Sequence, residues 1–175
     1  MKLPFALVLL ISFAAAQQPV DKSKRPSPPA TVQCKFADGN TITVDYSQPS
    51  MRGRKIYGGL VPYGQVWRTG ANEATTFVPT ASVTVNGTSV AKGSYSMFTL
   101  PSENTWKLII NKQTGQSGLK YDQSQDLARL DMRGESLSAP VEKFTISFDE
   151  HNGDACTMRL DWEKTRESVE IKEQK

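Results

Sequence analysis

Apolar and polar residues alternate with a period of two along much of this chain, a pattern that restricts it to extended strands. In TITVDY (41–46), Ile42, Val44 and Tyr46 share one face. Such alternation is typical of antiparallel strands that are buried on one side. Strands are predicted over TVQCKF (31–36), TITVDY (41–46), SVTV (82–85), SYSMFTL (94–100), TWKLII (105–110), LARLDM (127–132), KFTISF (143–148), ACTMRLDW (155–162) and SVEI (168–171).

The turn residues support the same fold class. Asp38-Gly39, Asn86-Gly87 and Asn152-Gly153 each separate two alternating runs, and these dipeptides accept the positive φ values of tight hairpins. About nine or ten short strands joined in this way predict an all-β domain. We expect an antiparallel β-sandwich, with jelly-roll connections as one arrangement, and a closed lipocalin-like barrel is the alternative.

The N-terminal residues predict export. Lys2, the apolar run 3–13 and Ala14-Ala15-Ala16 have the charge, length and small-residue cleavage site of a secretory signal peptide over residues 1–16. The run is shorter than the roughly 20 residues that span a bilayer, and no second apolar span follows, so no membrane span is predicted. We therefore expect a periplasmic or extracellular protein.

Composition divides the remaining chain into three parts. Residues 17–30 contain PVDKSKRPSPPA, and the density of proline in this stretch predicts an extended, disordered linker. Residues 31–171 are the length of one domain. Residues 172–175 form a polar tail.

Several functions lack their usual signals in this sequence. The formal net charge of +3 gives no basis for nucleic-acid binding. Phosphate-binding and dinucleotide-binding glycine motifs are absent, and the YDQSQD loop (121–126) does not match an EF-hand. No cofactor and no metal site are therefore predicted. The single histidine, His151, precedes a hairpin turn, which is a poor setting for a catalytic base.

The two cysteines are candidates for one disulfide bond. Cys34 shares a strand face with Val32 and Phe36, and Cys156 shares one with Met158 and Leu160. Both are therefore expected in the core, where an exported protein would pair them. Two separate buried thiols are the alternative.

The run GGLVPYGQVWRTGANEATTF (58–77) fits neither a strand nor a helix. One interpretation is a structural clasp in which Arg68 pairs with Glu73, Asn72 caps backbone groups and Trp67 packs into the core. The other is a binding site, with Tyr63 and Trp67 stacking on a flat ligand such as a sugar while Arg68, Asn72 and Glu73 orient it. The sequence favours the inward-closing clasp.

A basic cluster precedes this run. Arg52, Arg54 and Lys55 would favour an anionic ligand, such as a uronic acid or a phosphate. They are equally explained as a solvated turn.

Five segments together resemble one protein family. They are GRKIYGGLVPYGQVWRTGANEATTF (53–77), AKGSYSMFTLP (91–101), WKLIINKQTGQSG (106–118), YDQSQDLARL (121–130) and DWEKT (161–165). The chain is similar over about residues 31–171 to exported bacterial proteins catalogued as domain of unknown function 2911. The most specific element is VPYGQVWRTGANEAT (61–75). The family typically has a tryptophan in the segment occupied here by GQSG, where this chain has Ser117. The resemblance implies export and a β-rich domain, and it carries no mechanism.

These observations lead to two functional hypotheses. The first is an exported, non-catalytic envelope protein that serves as a structural or ligand-binding module, with a glycan or other small molecule as its ligand. The second is a hydrolase of an envelope or extracellular polymer, with Glu73 as the best candidate acid or base. The oligomeric state is not specified by the sequence.

Overall fold

A computed structural model describes residues 21–175. These residues form ten strands and two short 3-10 turns, Lys22–Lys24 and Gln123–Gln125. The strands are β1 (Pro29–Lys35), β2 (Thr41–Ser47), β3 (Thr75–Pro79), β4 (Val83–Val85), β5 (Thr88–Val90), β6 (Tyr95–Leu100), β7 (Lys107–Asn111), β8 (Asp126–Asp131), β9 (Arg133–His151) and β10 (Ala155–Glu173).

The strands build two antiparallel sheets that form a sandwich. One sheet has the order β1-β2-β3-β6-β7-β8 and the other has the order β5-β4-β10-β9. Across residues 21–175 neither sheet closes on itself. The predicted all-β sandwich is confirmed, and the lipocalin-like barrel is wrong.

All three predicted turns join neighbouring strands. Between β4 and β5, Asn86 and Gly87 have φ values of 44° and 82°, as a two-residue hairpin with the native strand twist requires. Asn152 and Gly153 likewise have positive φ values between β9 and β10. The third turn connects β1 to β2 through Gly39, whose φ is 92°.

The longest strands differ from the predicted ones. The predicted segments 155–162 and 168–171 belong to one strand, β10, because two register shifts around Glu163 interrupt the alternation without ending the pairing. Glu163 has a φ of 55°, as the extra residue of a bulge often does. The first half of β9 was not predicted because nearly all of residues 133–140 are exposed and carry no apolar alternation.

The core lies between the two sheets. Its largest buried side chains come from the inner faces of both sheets and include Phe36, Ile42, Phe77, Met97, Leu108, Ile110, Phe144, Ile146 and Trp162. A second, smaller cluster of Ala74, Phe98 and Ile109 packs with Val66 and Tyr121. Phe98 and Ile109 alternate along their strands with core residues, so they lie on the outer face of the larger sheet. The long connections before β3 and after β7 must therefore cover that face.

A disulfide bond joins the two sheets. Cys34 of β1 and Cys156 of β10 are fully buried, their Cα atoms are 6.5 Å apart, and they are bonded to each other. The predicted disulfide is confirmed, and the alternative of two separate thiols is wrong. The bond connects strands that share no hydrogen bonds.

The described part of the proline-rich segment lies against the domain. Arg25 contacts Glu73, Asn72 donates a hydrogen bond to the carbonyl of Ser27, and β1 already begins at Pro29. Charged and backbone groups in residues 21–30 therefore find partners far along the chain. Residues 1–20, including the predicted signal peptide, lie outside the described part. Among residues 21–175 there is no helix long and apolar enough to cross a membrane.

We predict that replacing both cysteines, as in Cys34→Ala with Cys156→Ala, lowers the free energy of unfolding by about 3–5 kcal/mol. The disulfide spans 122 residues, and closing a loop of that length removes the equivalent of about 5 kcal/mol of chain entropy from the unfolded state. Urea unfolding of the oxidised protein and the double variant measures the difference.

Reductant supplies the control for this prediction. It should destabilise the wild-type protein and leave the double variant unchanged. Complete alkylation of both cysteines in the denatured, unreduced protein would contradict the bond.

Candidate functional site

The long connection between β2 and β3 is held to the sheet at Trp67. The backbone N–H and carbonyl of Trp67 exchange hydrogen bonds of 2.8 and 2.9 Å with Thr99 of β6. Its indole stacks on Trp162 at 5.8 Å between ring centroids and meets the edge of Phe144 at 4.9 Å. The indole N–H donates to the carbonyl of Gly70 at 3.1 Å. The predicted packing of Trp67 against the core is confirmed.

Thr69 turns the chain after Trp67, and the sequence analysis missed it. This residue is fully buried and has a φ of 53°, which is unusual for a β-branched side chain. Such a conformation costs of order 1 kcal/mol or more. Its hydroxyl lies 3.2 Å from that of Thr99, and its carbonyl accepts a 2.7 Å hydrogen bond from the hydroxyl of Thr75. This buried network holds the strained turn in place.

The predicted Arg68–Glu73 ion pair does not form. Glu73 instead accepts hydrogen bonds of 3.0 and 2.9 Å from Nη1 of Arg25, and Nζ of Lys22 lies 3.2 Å from its carboxylate. Positive φ values at Thr69 and Asn72 reverse the chain between the two predicted partners. The two side chains therefore lie on different surfaces. This part of the clasp hypothesis is wrong.

The cations beside Glu73 make it a poor proton donor. Hydrogen bonds from Arg25, with further contributions from its own backbone amide and from Lys22, lower the pKa of Glu73 to about 2. A general acid or base at neutral pH is best served by a pKa near neutrality. Half of the Glu73 side chain is exposed, so its role is that of a surface attachment point for the N-terminal segment.

Asn72 ties that segment to the same connection. Its Nδ2 donates to the carbonyl of Ser27 at 3.1 Å and to Oγ of Ser47 at 3.2 Å. The predicted capping of backbone by Asn72 is confirmed. The carbonyl of Asn72 also accepts a hydrogen bond from the N–H of Gly118 at 3.2 Å, which brings the loop after β7 against the connection.

A cleft of about 430 Å³ opens between this connection and the loop after β7. Trp67, Trp162, Tyr121 and Phe98 supply aromatic walls, and Leu60 and Leu119 line it with 46% and 82% of their surfaces exposed. Most ligand sites combine such apolar walls with a few polar groups.

Two arginines are the only charged residues that line this cleft among residues 21–175. Arg54 is oriented by its own hydrogen bonds, from Nε to the carbonyl of Met51 at 2.9 Å and from Nη2 to the carbonyl of Ser50 at 2.7 Å. Arg68 is half-buried, and its Nε is buried without a hydrogen-bond partner. Burial lowers the pKa of Arg68 from its ordinary value. Neither arginine forms an ion pair within the described part of the chain.

Gly118 makes room for Arg68. A Cβ atom at this glycine would lie 2.2 Å from Cδ of Arg68 and 2.7 Å from the carbonyl oxygen of Asn72. Any larger residue would therefore displace the arginine stem. The GQSG segment thus has a packing role that the sequence did not indicate.

Tyr121 is held rigidly at the cleft. Its hydroxyl donates to Asp126 at 2.6 Å and accepts from Arg129 at 2.5 Å. Burial, followed by the hydrogen bond to Asp126, raises the pKa of Tyr121 to about 12.

The carboxylates of the YDQSQD loop already have protein donors, since Asp122 accepts from Ser124. Residues 21–175 contain no group of three or more His, Cys, Asp or Glu arranged to hold a metal ion.

The five predicted binding residues do not converge on one cleft. Trp67 and Arg68 line the cleft described above, whereas Tyr63 lines a separate depression and Asn72 and Glu73 lie on a third surface. Among the cleft residues, sequence analysis singled out Trp67, Arg68 and Arg54. It missed Tyr121 and Leu119. The position of Leu119 as a single leucine between Gly118 and Lys120 was the sequence feature that could have indicated this part of the cleft. His151 lies at an exposed hairpin end, where its Nε2 is 2.9 Å from the hydroxyl of Thr157.

The fold and the cleft define a disulfide-bridged β-sandwich with an arginine-bearing, aromatic-walled cleft. The model of the family described as Protein of unknown function (DUF2911) matches residues 27–171. The chain therefore belongs to this family. No curated protein matches the chain, and no solved structure matches it either.

We predict that Arg25→Ala raises the pKa of Glu73 towards its ordinary value. Because the folded-state pKa is depressed, the pair stabilises the protein above the unfolded pKa, near 4.5, and this stabilisation is lost as the pH falls towards about 2. Solvent screening of this half-exposed pair limits its contribution to under about 1 kcal/mol. Carboxyl carbon NMR across an acid titration measures the pKa directly.

Lys24→Ala is the matched control for this titration. Lys24 pairs with Asp21 and should leave the pKa of Glu73 unchanged. An identical Glu73 titration in wild type and Arg25→Ala would contradict the assigned contact.

Proposed function

We propose that this protein is a non-catalytic binding module of the bacterial envelope and that its cleft holds a small anionic ligand with a flat or apolar body. A sugar acid is the first choice among such ligands. The observation that carries the proposal is Arg68, a half-buried guanidinium in the cleft wall that has no acidic partner among residues 21–175.

The cost of leaving Arg68 unpaired supports an anionic ligand. A buried polar group without a partner costs about 1–3 kcal/mol, and more when it is charged. A carboxylate in the cleft would offset part of this cost by neutralising the charge, and it would match the planar fork of the guanidinium. Arg54 lines the same cleft and is held by two backbone carbonyls, so it needs little further ordering when a ligand binds.

The walls and volume support a ligand with an apolar face. A cleft of about 430 Å³ lies within the range of small-molecule sites. Tyr121 is locked by Asp126 and Arg129, and Trp67 is locked by its stacking on Trp162. Rigid aromatic surfaces bind flat rings with little loss of side-chain entropy.

Export to the periplasm or beyond is supported by two independent features. One is the signal-peptide pattern of residues 1–16. The other is the buried disulfide between Cys34 and Cys156, since such bonds persist in oxidising compartments.

The competing hydrolase hypothesis loses its candidate residue. Glu73 is neutralised by Arg25 and Lys22 on a surface away from the aromatic cleft. The arginine cleft has no carboxylate lining it among the described residues, whereas glycoside hydrolysis ordinarily uses two. Binding without catalysis is therefore the better-supported function of this cleft.

The test compares sugar acids with their neutral counterparts. We expect galacturonate and glucuronate to change the tryptophan fluorescence of the purified protein, because Trp67 and Trp162 line the cleft. Galactose and glucose should bind at least about tenfold more weakly, since charge-assisted hydrogen bonds contribute about 1.5–3 kcal/mol. Equal binding of acidic and neutral sugars, or no binding of either acid at millimolar concentration, would overturn the proposal.

Three substitutions, each of which removes one positive charge, are used to locate the binding site. Arg68→Gln and Arg54→Gln should each weaken uronate binding by about tenfold or more. Arg52→Gln is the matched control, because Arg52 is exposed two residues from Arg54 and does not line the cleft. Gly118→Ala should weaken binding without changing charge, since it displaces Arg68. An equal effect of all three arginine substitutions would indicate general electrostatics instead of a site.

A further inference from the structure

A second cleft has the opposite charge and is independent of the proposed anion site. It has a volume of about 260 Å³, and its charged lining residues among the described part of the chain are Glu103, Glu135 and Glu167. No lysine or arginine from residues 21–175 lines it. Its walls also include Tyr63 and Trp106.

Glu167 is the unusual member of this set. The residue is only 4% exposed, and its Oε2 is buried without a hydrogen-bond partner. It pairs in register with Gly134 on β9. A Cβ atom at Gly134 would lie 3.0 Å from Oε1 and 3.5 Å from Oε2 of Glu167. The carboxylate therefore lies over Gly134, which itself lines the cleft.

The surrounding charges leave Glu167 uncompensated. The nearby arginines form ion pairs with other carboxylates. Arg133 pairs with Glu135 at 3.6 Å, and Arg166 pairs with Asp161 at 2.6 Å. Burial raises the pKa of Glu167 to about 7. Other ionisable groups lie on the strands and connections that pack around Glu167. They are Arg133 and Glu135 on β9, Glu103 after β6, Tyr57 and Tyr63 on the connection between β2 and β3, and Asp161, Glu163 and Arg166 on β10.

We propose that this cleft binds a primary organic ammonium ion, with Glu167 as its counter-ion. An ammonium group has three N–H donors, which suit the carboxylate of Glu167, the carboxylate of Glu135 and a hydroxyl such as that of Ser136 in the same lining. Tyr63 and Trp106 offer rings beside which a cation is favoured.

A divalent metal ion fits this site less well. Hard cations such as calcium take six to eight oxygen ligands, and residues 21–175 contain no group of three or more His, Cys, Asp or Glu arranged to hold a metal. An ammonium needs only three acceptors, and its organic substituent can contact the aromatic wall.

The test titrates the isotope-labelled protein with butylammonium and, separately, with butanol. The two probes have the same apolar chain and differ in charge, and the alkylammonium stays protonated through neutral pH, as lysine does. We expect butylammonium to shift the amide NMR signals of Gly134 and Glu167 and butanol to leave them unchanged. Equal shifts with both probes would overturn the proposal, and so would calcium binding at Glu167 in the absence of any ammonium effect.

Two further experiments test whether the charge of Glu167 is required for binding. Affinity should rise by about tenfold from one pH unit below the pKa of Glu167 to one unit above it, because only the ionised form is a counter-ion. Glu167→Gln should abolish binding, whereas Glu170→Gln, which removes an exposed charge from the same strand, should not change it. Binding that is independent of pH, or that survives in Glu167→Gln, would refute the assignment.

The pH arm uses only the wild-type protein, so it decides the question even if a variant fails to fold. Arg68→Gln should leave ammonium binding intact, because Arg68 lines the other cleft. Loss of ammonium binding in Arg68→Gln would show that the two clefts are not independent.

Discussion

The stacking of Trp67 on Trp162 is the contact on which the remaining architecture depends. It joins the connection between β2 and β3 to the four-stranded sheet, while the backbone of Trp67 pairs with β6 in the other sheet. The connection thereby covers Phe98 and the outer face of the larger sheet. Because burying a large aromatic side chain contributes several kcal/mol, this one residue can hold a strained turn at Thr69 and the walls of the arginine cleft.

Charged groups of opposite sign line the two clefts of this molecule. Among residues 21–175, the charged residues that line the larger cleft are arginines, and those that line the smaller cleft are glutamates. Each cleft has one charged residue with a buried, unpartnered atom, Nε of the half-buried Arg68 in the first and Oε2 of the buried Glu167 in the second. Natural proteins pair most buried charges, and this regularity is the reason for proposing a ligand of opposite charge in each cleft. The formal net charge of +3 conceals this separation.

Much of the fold could be predicted from sequence, and less of the site. Alternation in β2, β6 and β10 and the turns at Asn86 and Asn152 are local signals, and the structure confirms them. The pairing of Arg68 with Glu73 was inferred from closeness along the chain, and it is wrong because Arg25, 48 residues away, contacts Glu73 instead. Nothing in the neighbours of Glu167 along the chain indicates that this residue is buried.

The sequence by itself determined most of the strands, the hairpin turns, the inward direction of both cysteines and the family. These follow from side-chain period and from backbone preferences, which act over a few residues. Only the tertiary structure decided which charges remain unpaired, because ion pairing depends on residues that the fold brings together from distant segments. The absence of a side chain at Gly118 and Gly134 leaves room for Arg68 and Glu167, and only the assembled sandwich shows which charged group lies beside each glycine.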